Sequence, residues 1–151
     1  MRRIVCPTDF SESAVGAERH AADLARALGA ELVLVHVASD APMWRAGLMT
    51  PTLRGVYESQ RKWAADALAA RAVALAAKGA PARSVVKVGV ASEEIFRVAA
   101  EEHADMIVMG TQGRTGLERL MLGSVAERVI RAAPCPVLTV RLATNTQEPE
   151  S

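Results

Sequence analysis

The chain has 151 residues, half of them hydrophobic and only 3% aromatic, and 18 basic side chains against 17 acidic ones leave a net charge of +1. That apolar content excludes a disordered chain, and no apolar run reaches the roughly 18 residues of a membrane span. Near-neutral charge lacks the basic excess of a duplex-DNA binder, and five scattered aromatic residues make no base-stacking platform for a single strand. One domain is the expectation at this length. Met1-Arg2-Arg3 leads into only three apolar residues before Pro7, too few for a secretory leader. Cys6 and Cys135 form neither a CxxC pair nor a metal-ligand spacing, so a cytoplasmic protein with free thiols and no metal cluster is expected.

Residues 3–6 read as a first strand, stopped by Pro7. Ala14, Ala17, Ala21, Leu24, Ala25 and Leu28 recur at helical steps and make one apolar face, with Ser11 among the candidate N-caps and Gly29 at the C-terminal cap position. Residues 31–37 are apolar nearly throughout, the pattern of a strand buried on both faces. Residues 39–53 hold two prolines, a glycine and no helical period, and read as a loop; its Met43, Trp44, Leu48 and Met49 are expected to pack back onto the domain, with a lid or a protein-partner surface as the alternatives. The spacing predicts a helix over about 56–78 whose inner face is Trp63, Ala64, Ala67, Leu68, Arg71 by its stem, Ala72 and Leu75. A third strand is expected over 84–90, then a helix capped by Ser92, with Glu93 and Glu94 favourable in its first turn. Residues 106–109 read as the fourth strand, about 124–132 as a last helix, and 137–142 as the last strand.

Strands alternating with long crossovers specify an α/β domain with a parallel sheet. We assign it residues 1–142, with 143–151 as a flexible C-terminal tail.

The most informative stretch runs from Gly110 to Val125. Gly110 and Gly113 lie three apart, and Gly123-Ser124 follow at the start of a helix. Glycines let backbone N–H groups approach an oxyanion, and a helix N-terminus adds unpaired N–H groups and a positive dipole end. The stretch lacks the lysine of a Walker A loop, and the turn after the first strand lacks the glycines of the dinucleotide fingerprint. Taken alone, the glycines are equally well explained as turn and cap residues.

The combination is more specific. Ile4-Val5-Cys6-Pro7-Thr8-Asp9, Val35-His36-Val37, Gly110-x2-Gly113-x9-Gly123-Ser124 and Pro134-Cys135-Pro136-Val137-Leu138 together resemble the universal stress protein family, over about residues 2–142. The long glycine pattern is similar to the signature of the family's ATP-binding branch. The resemblance implies a Rossmann-like, adenine nucleotide alpha hydrolase-like fold, five parallel strands in order 3-2-1-4-5 with helices on both faces. It also implies a homodimer and binding of ATP, with Mg2+ as the nucleotide's usual companion.

Carried over residue by residue, the resemblance puts Asp9 at the ribose, with Pro7 and Thr8 forming the same wall. Backbone near Val37 edges the adenine. Gly110, with Met109 before it, approaches the ribose, while Gly113, Gly123, Ser124 and Val125 hold phosphates. Gln112 stands where the family often has histidine; it donates a hydrogen bond but carries no charge. Arg114 is either an additional phosphate contact or a solvated side chain. In the implied order the Asp9 and Gly110 turns flank the point where strand order reverses, so they are expected to converge on one crevice.

In that order the last strand, Val137 to Leu142, is an apolar edge, and homodimerisation through it is expected. Nucleic acid and membrane are not expected as partners; a protein partner is unspecified. No catalytic residue is assigned, because Asp9 is the single obvious site carboxylate and it already has a binding role. The leading reading is a dimeric, ATP-binding stress-response or signalling module with at most slow hydrolysis. The alternatives are a slow ATPase or phosphotransferase, and a nucleotide-free partner-binding dimer.

Overall fold

The computed structural model describes residues 1–39, 46–112 and 122–141. Strands β1 (Arg3–Pro7), β2 (Glu31–Ser39), β3 (Ala82–Gly89), β4 (Met106–Gly110) and β5 (Val137–Val140) form one sheet in the order β3-β2-β1-β4-β5. All four neighbouring pairs are parallel. The crossovers carry α1 (Glu12–Leu28), α2 (Pro51–Ala77), α3 (Ala91–Glu101) and α4 (Ser124–Ala132). The expected fold class and strand order are therefore observed.

The sheet separates two half-cores. Alternation along β1 sends Ile4 and Cys6 to one face and Val5 to the other, all fully buried. On the first face Ala17, Ala21 and Ala25 of α1 and Leu68 and Ala72 of α2 pack against Leu32, Leu34 and Val108. On the second, Ile95, Val98 and Ala99 of α3 and Ala126 and Val129 of α4 cover Val33, Val35 and Ile107. Alanine on the helix faces lets the helices lie close on branched strand side chains, so few aromatic residues are needed. Leu28, placed on the α1 face by spacing, is 48% exposed at the helix end.

Local signals set the helix ends. The Ser11 hydroxyl accepts from Ala14 N at the start of α1, and Gly29 ends it in the left-handed region at φ 63°. α2 starts earlier than the apolar spacing predicts, with Thr50 as N-cap, accepting from Leu53 N, and Pro51 in the first turn. Its opening residues are mostly exposed and carry no core-facing period. α2 buries Ala64, Leu68 and Ala72 at four-residue steps; Trp63, expected on that face, is 58% exposed. Arg71 does lie inward but contributes its charged head as well as its stem. Ser92 is not the cap of α3: Val90 occupies that position, and Ser92 is buried within the first turn. β3 begins two residues before the expected 84 and ends at Gly89. β5 ends at Val140, short of the expected 142; Leu142 and the tail 143–151 lie outside the described residues.

At the amino-terminal end of the sheet, Arg83 donates to Glu31 (2.7 Å) and grips both carboxylate oxygens of Glu102. Asp105 accepts from the backbone of Arg2 and Arg3 at 2.7 and 3.0 Å. Cys6 is buried, Cys135 half-buried, and both are free thiols. Burial, aided by the charge of Glu18, pushes the Cys6 thiol well up, so it stays protonated and inert. Among the described residues no helix is long and apolar enough to cross a membrane.

Candidate functional site

The carboxyl ends of β1 and β4 meet at a cavity of about 400 Å³, within the range of about 300–1,000 Å³ usual for small-molecule sites. β1 delivers Pro7, Thr8 and Asp9; β2 delivers Val35, Val37 and Ser39; β4 delivers Met109, Gly110, Thr111 and Gln112. Gly123, Ser124, Val125 and Ala126 close it from the start of α4, and Ala91 and Ile95 from α3. Of the residues singled out in the sequence, Pro7, Thr8, Asp9, Val37, Met109, Gly110, Gln112, Gly123, Ser124 and Val125 thus surround one space. The predicted convergence of two turns about a hundred residues apart is observed. Gly113 and Arg114 lie outside the described residues, as do Met43 and Trp44 of the expected loop.

The walls divide by chemistry. Val35, Val37, Ile95 and Met109 make an aliphatic side, and none of the described lining residues is aromatic. Opposite them the start of α4 presents backbone donors. Gly123 is its N-cap, no side-chain cap is present, and the first intrahelical bond runs from Glu127 N to Gly123 O. The N–H groups of Ser124, Val125 and Ala126 therefore face outward at the positive end of a nine-residue helix. The Ser11-capped start of α1 differs, and that of α3 carries Glu93 and Glu94 in its first turn. The α4 end is the one suited to an anion.

Backbone contacts join the two halves of the glycine pattern. Gly123 N donates to Thr111 O at 2.7 Å, so the chain leaving β4 returns to the same point. Thr111 N donates to Val140 O, and Gln112 N donates to the Ser13 hydroxyl at 3.3 Å. Gly110 is needed for packing as well: a Cβ there would approach the Ser13 carbonyl carbon and oxygen to 2.9 Å. Ser13, 99 positions from Gln112, is a candidate N-cap in the sequence, but the cap is Ser11 and nothing in the sequence linked Ser13 to this site. Ala91 and Ile95 were also missed, although Ile95 stands at the right helical spacing to face the sheet.

The Asp9 turn is tightly organised. Asp9 Oδ1 accepts from Ser11 N at 3.0 Å, an Asx turn leading into α1. The Thr8 hydroxyl donates to Glu18 at 2.6 Å, so Thr8 lines the cavity while its polar groups hold the turn. His36 donates from Nδ1 to Thr8 O at 2.9 Å, which satisfies that ring nitrogen. A second cavity, of about 550 Å³, lies on the other side of the β1 and β2 ends, where Phe10, His36, Tyr57 and Trp63 gather. It shares Asp9, Val37 and Ser39 with the first. Among the described residues no group of three or more His, Cys, Asp or Glu side chains is arranged to hold a metal ion.

The universal stress protein family profile matches residues 1–141. The chain belongs to the universal stress protein family. It is 38% identical to the universal stress protein MJ0531 of Methanocaldococcus jannaschii over 93% of its own length and 82% of that protein. It is 36% identical to a universal stress protein of Thermus aquaticus, covering 93% of this chain and 98% of the relative. Its fold superposes on the solved structure of the protein MJ0577 with a TM-score of 0.82 at 29% identity, covering 95% and 97% of the two chains. The universal stress protein of Archaeoglobus fulgidus, solved in complex with dAMP, matches with a TM-score of 0.62 at 25% identity over 93% and 98%. The chain thus shares its fold with these solved structures over nearly their full length.

Proposed function

We propose that this universal stress protein binds an adenine nucleotide, ATP foremost, in the cavity between the ends of β1 and β4. One observation carries the reading: the Asp9 turn and the donor-rich start of α4 face each other across a single space with an aliphatic wall. A base fits the aliphatic side near Val37, ribose hydroxyls fit the Asp9 carboxylate, and phosphates fit the α4 N–H groups and the Ser124 hydroxyl. That a relative of the same fold was solved with dAMP supports the adenine assignment. Gly113 and Arg114 belong to the proposed phosphate side through the motif. Mg2+ is bound through few carboxylates and the substrate's own phosphates, and Asp9 is the one carboxylate among the described lining residues. The ion would therefore ride mainly on the nucleotide. With no second acid among those residues to position water, turnover is slow at most.

The exposed edge strand β5, with Leu138 39% exposed, supports a homodimer paired through Val137–Val140. The protein acts on this reading as a cytoplasmic dimeric stress-response or signalling module whose nucleotide state is the signal. The test is direct. Purified protein is denatured and the released small molecules are identified by mass spectrometry, and nucleotide-stripped protein is titrated with ATP by calorimetry. Adenine nucleotide in the extract, and an ATP affinity weakened roughly tenfold in Asp9→Ala, are expected. An extract free of nucleotide together with no ATP heat in wild type would refute the reading.

A further inference from the structure

We infer that Arg71, which lies outside the first cavity, is a positioning residue for it: through Glu18 and the Phe10 ring it fixes the turn that carries Asp9. The inference rests on the adenine-nucleotide reading above, with Asp9 at the ribose.

The starting observation is Phe10. It follows Asp9 directly and has a φ of 64°, a left-handed conformation that a side chain with a Cβ rarely adopts. Such a residue persists only where its surroundings over-determine it, and these places cluster at functional turns. Here the surroundings come from α1, α2 and β2. The Phe10 ring meets His36 at 4.8 Å between centroids and Trp63 edge-on at 5.3 Å, and the Arg71 guanidinium lies 4.8 Å over it. Phe10 N donates to the Thr8 hydroxyl at 3.2 Å, and that hydroxyl donates to Glu18 Oε1 at 2.6 Å. Arg71 Nη1 donates to the same oxygen at 2.7 Å.

Arg71 therefore holds both ends of the turn, one through a carboxylate and the other through a ring. The Glu18 side chain is only 8% exposed, and a carboxylate buried that far requires a paired cation. Thr8 has no slack to compensate: its N–H donates to Val35 O and its carbonyl accepts from His36. Asp9 sits between the two clamped residues, so the direction of its carboxylate depends on a side chain of α2 that touches no part of the first cavity.

The test separates positioning from mere stabilisation by comparing ATP with 2′,3′-dideoxy-ATP, which lacks the ribose hydroxyls that Asp9 would engage. Calorimetric affinities are measured for wild type, Asp9→Ala, Arg71→Met and Arg71→Lys. Wild type should prefer ATP, and Asp9→Ala should abolish the preference. Arg71→Met should cut the preference roughly tenfold, the worth of one hydrogen bond to a charged group, with dideoxy-ATP affinity nearly unchanged. Arg71→Lys, which keeps the charge beside Glu18 but not the flat group over Phe10, should restore part of it. If Arg71→Met does not fold, the Glu18→Gln/Arg71→Met double variant replaces the ion pair by neutral groups and is read in the same way. An Arg71→Met or double variant that melts earlier yet keeps the wild-type preference would overturn the positioning role. Wild type that binds ATP without preferring it over the dideoxy form would also overturn it. Wild type that binds neither would instead overturn the nucleotide reading and this role with it.

Discussion

Gly110 illustrates how one residue serves two purposes. The motif reading gives it a ligand-facing role, yet the structure supplies a packing reason that stands without any ligand. α1 approaches β4 so closely that a single methyl group at position 110 meets the Ser13 backbone. Overpacking of this kind costs about 1–3 kcal/mol. Gly110→Ala is expected to lower the melting temperature by several degrees, and to weaken ATP binding because Ser13 and Gln112 move with α1. Thermal unfolding by circular dichroism checks the first outcome and calorimetry the second. The motif's glycine spacing was legible in the sequence, but the contact with Ser13 was not, because nothing local links residues so far apart. Glu18 and Arg71 were hidden for a related reason. Helical spacing put Arg71 on an inner face but could not say that its partner was a carboxylate on another helix.

At the scale of elements, the strands and α4 were legible because apolar runs and breakers coincide there. α2 was legible only where it touches the core. Its first turn is exposed, so the apolar period is silent and the start is marked by Thr50 and Pro51 alone. Removing that cap, Thr50→Ala, should cost about 1 kcal/mol, read as faster amide exchange at Leu53 and a slightly lower urea midpoint. Ser92 shows the opposite error: a good capping residue two positions past the cap, buried within the first turn instead.

The ties at the amino-terminal end of the sheet have their own signature. Hydrogen bonds from Arg83 hold the Glu102 carboxyl below the usual carboxylate range, and the backbone N–H groups of Arg2 and Arg3 do the same for Asp105. Because both are depressed on folding, their stabilisation is present above the unfolded carboxylate value, about 4.3 for glutamate, and is lost as pH falls below it. The urea midpoint should be nearly flat from neutral pH down to about pH 5 and fall below that. Glu102→Gln should lower the neutral plateau and flatten part of the acid fall; an unchanged acid limb would count against this account.

For the whole molecule, topology was the most legible feature, since alternating strands and helices allow few arrangements and the family resemblance selects one of them. The proposed function rests on two couplings. A nucleotide that binds only the folded state should raise stability by about 2.7 kcal/mol at a hundredfold excess over Kd, so the melting temperature should climb with ATP concentration. Pairing through β5 should fail in Leu138→Lys, which places a charge on the exposed edge. Light scattering after size exclusion should then give a monomer with a near-normal melting temperature, whereas a persistent dimer would place the interface elsewhere.

The division of the interior into two half-cores bears on how such a protein diverges. Substitutions far apart and without shared neighbours add independently, and the sheet keeps the α1–α2 side and the α3–α4 side from touching. A lineage can therefore rewrite the outer surface of α2 while the anion-facing side stands still. The seam where that freedom ends is the short turn through Thr8, Asp9 and Phe10, which is anchored on one side of the sheet and opens onto the other. Mutational tolerance mapped over the whole chain should show two largely additive territories, with strong epistasis confined to that border.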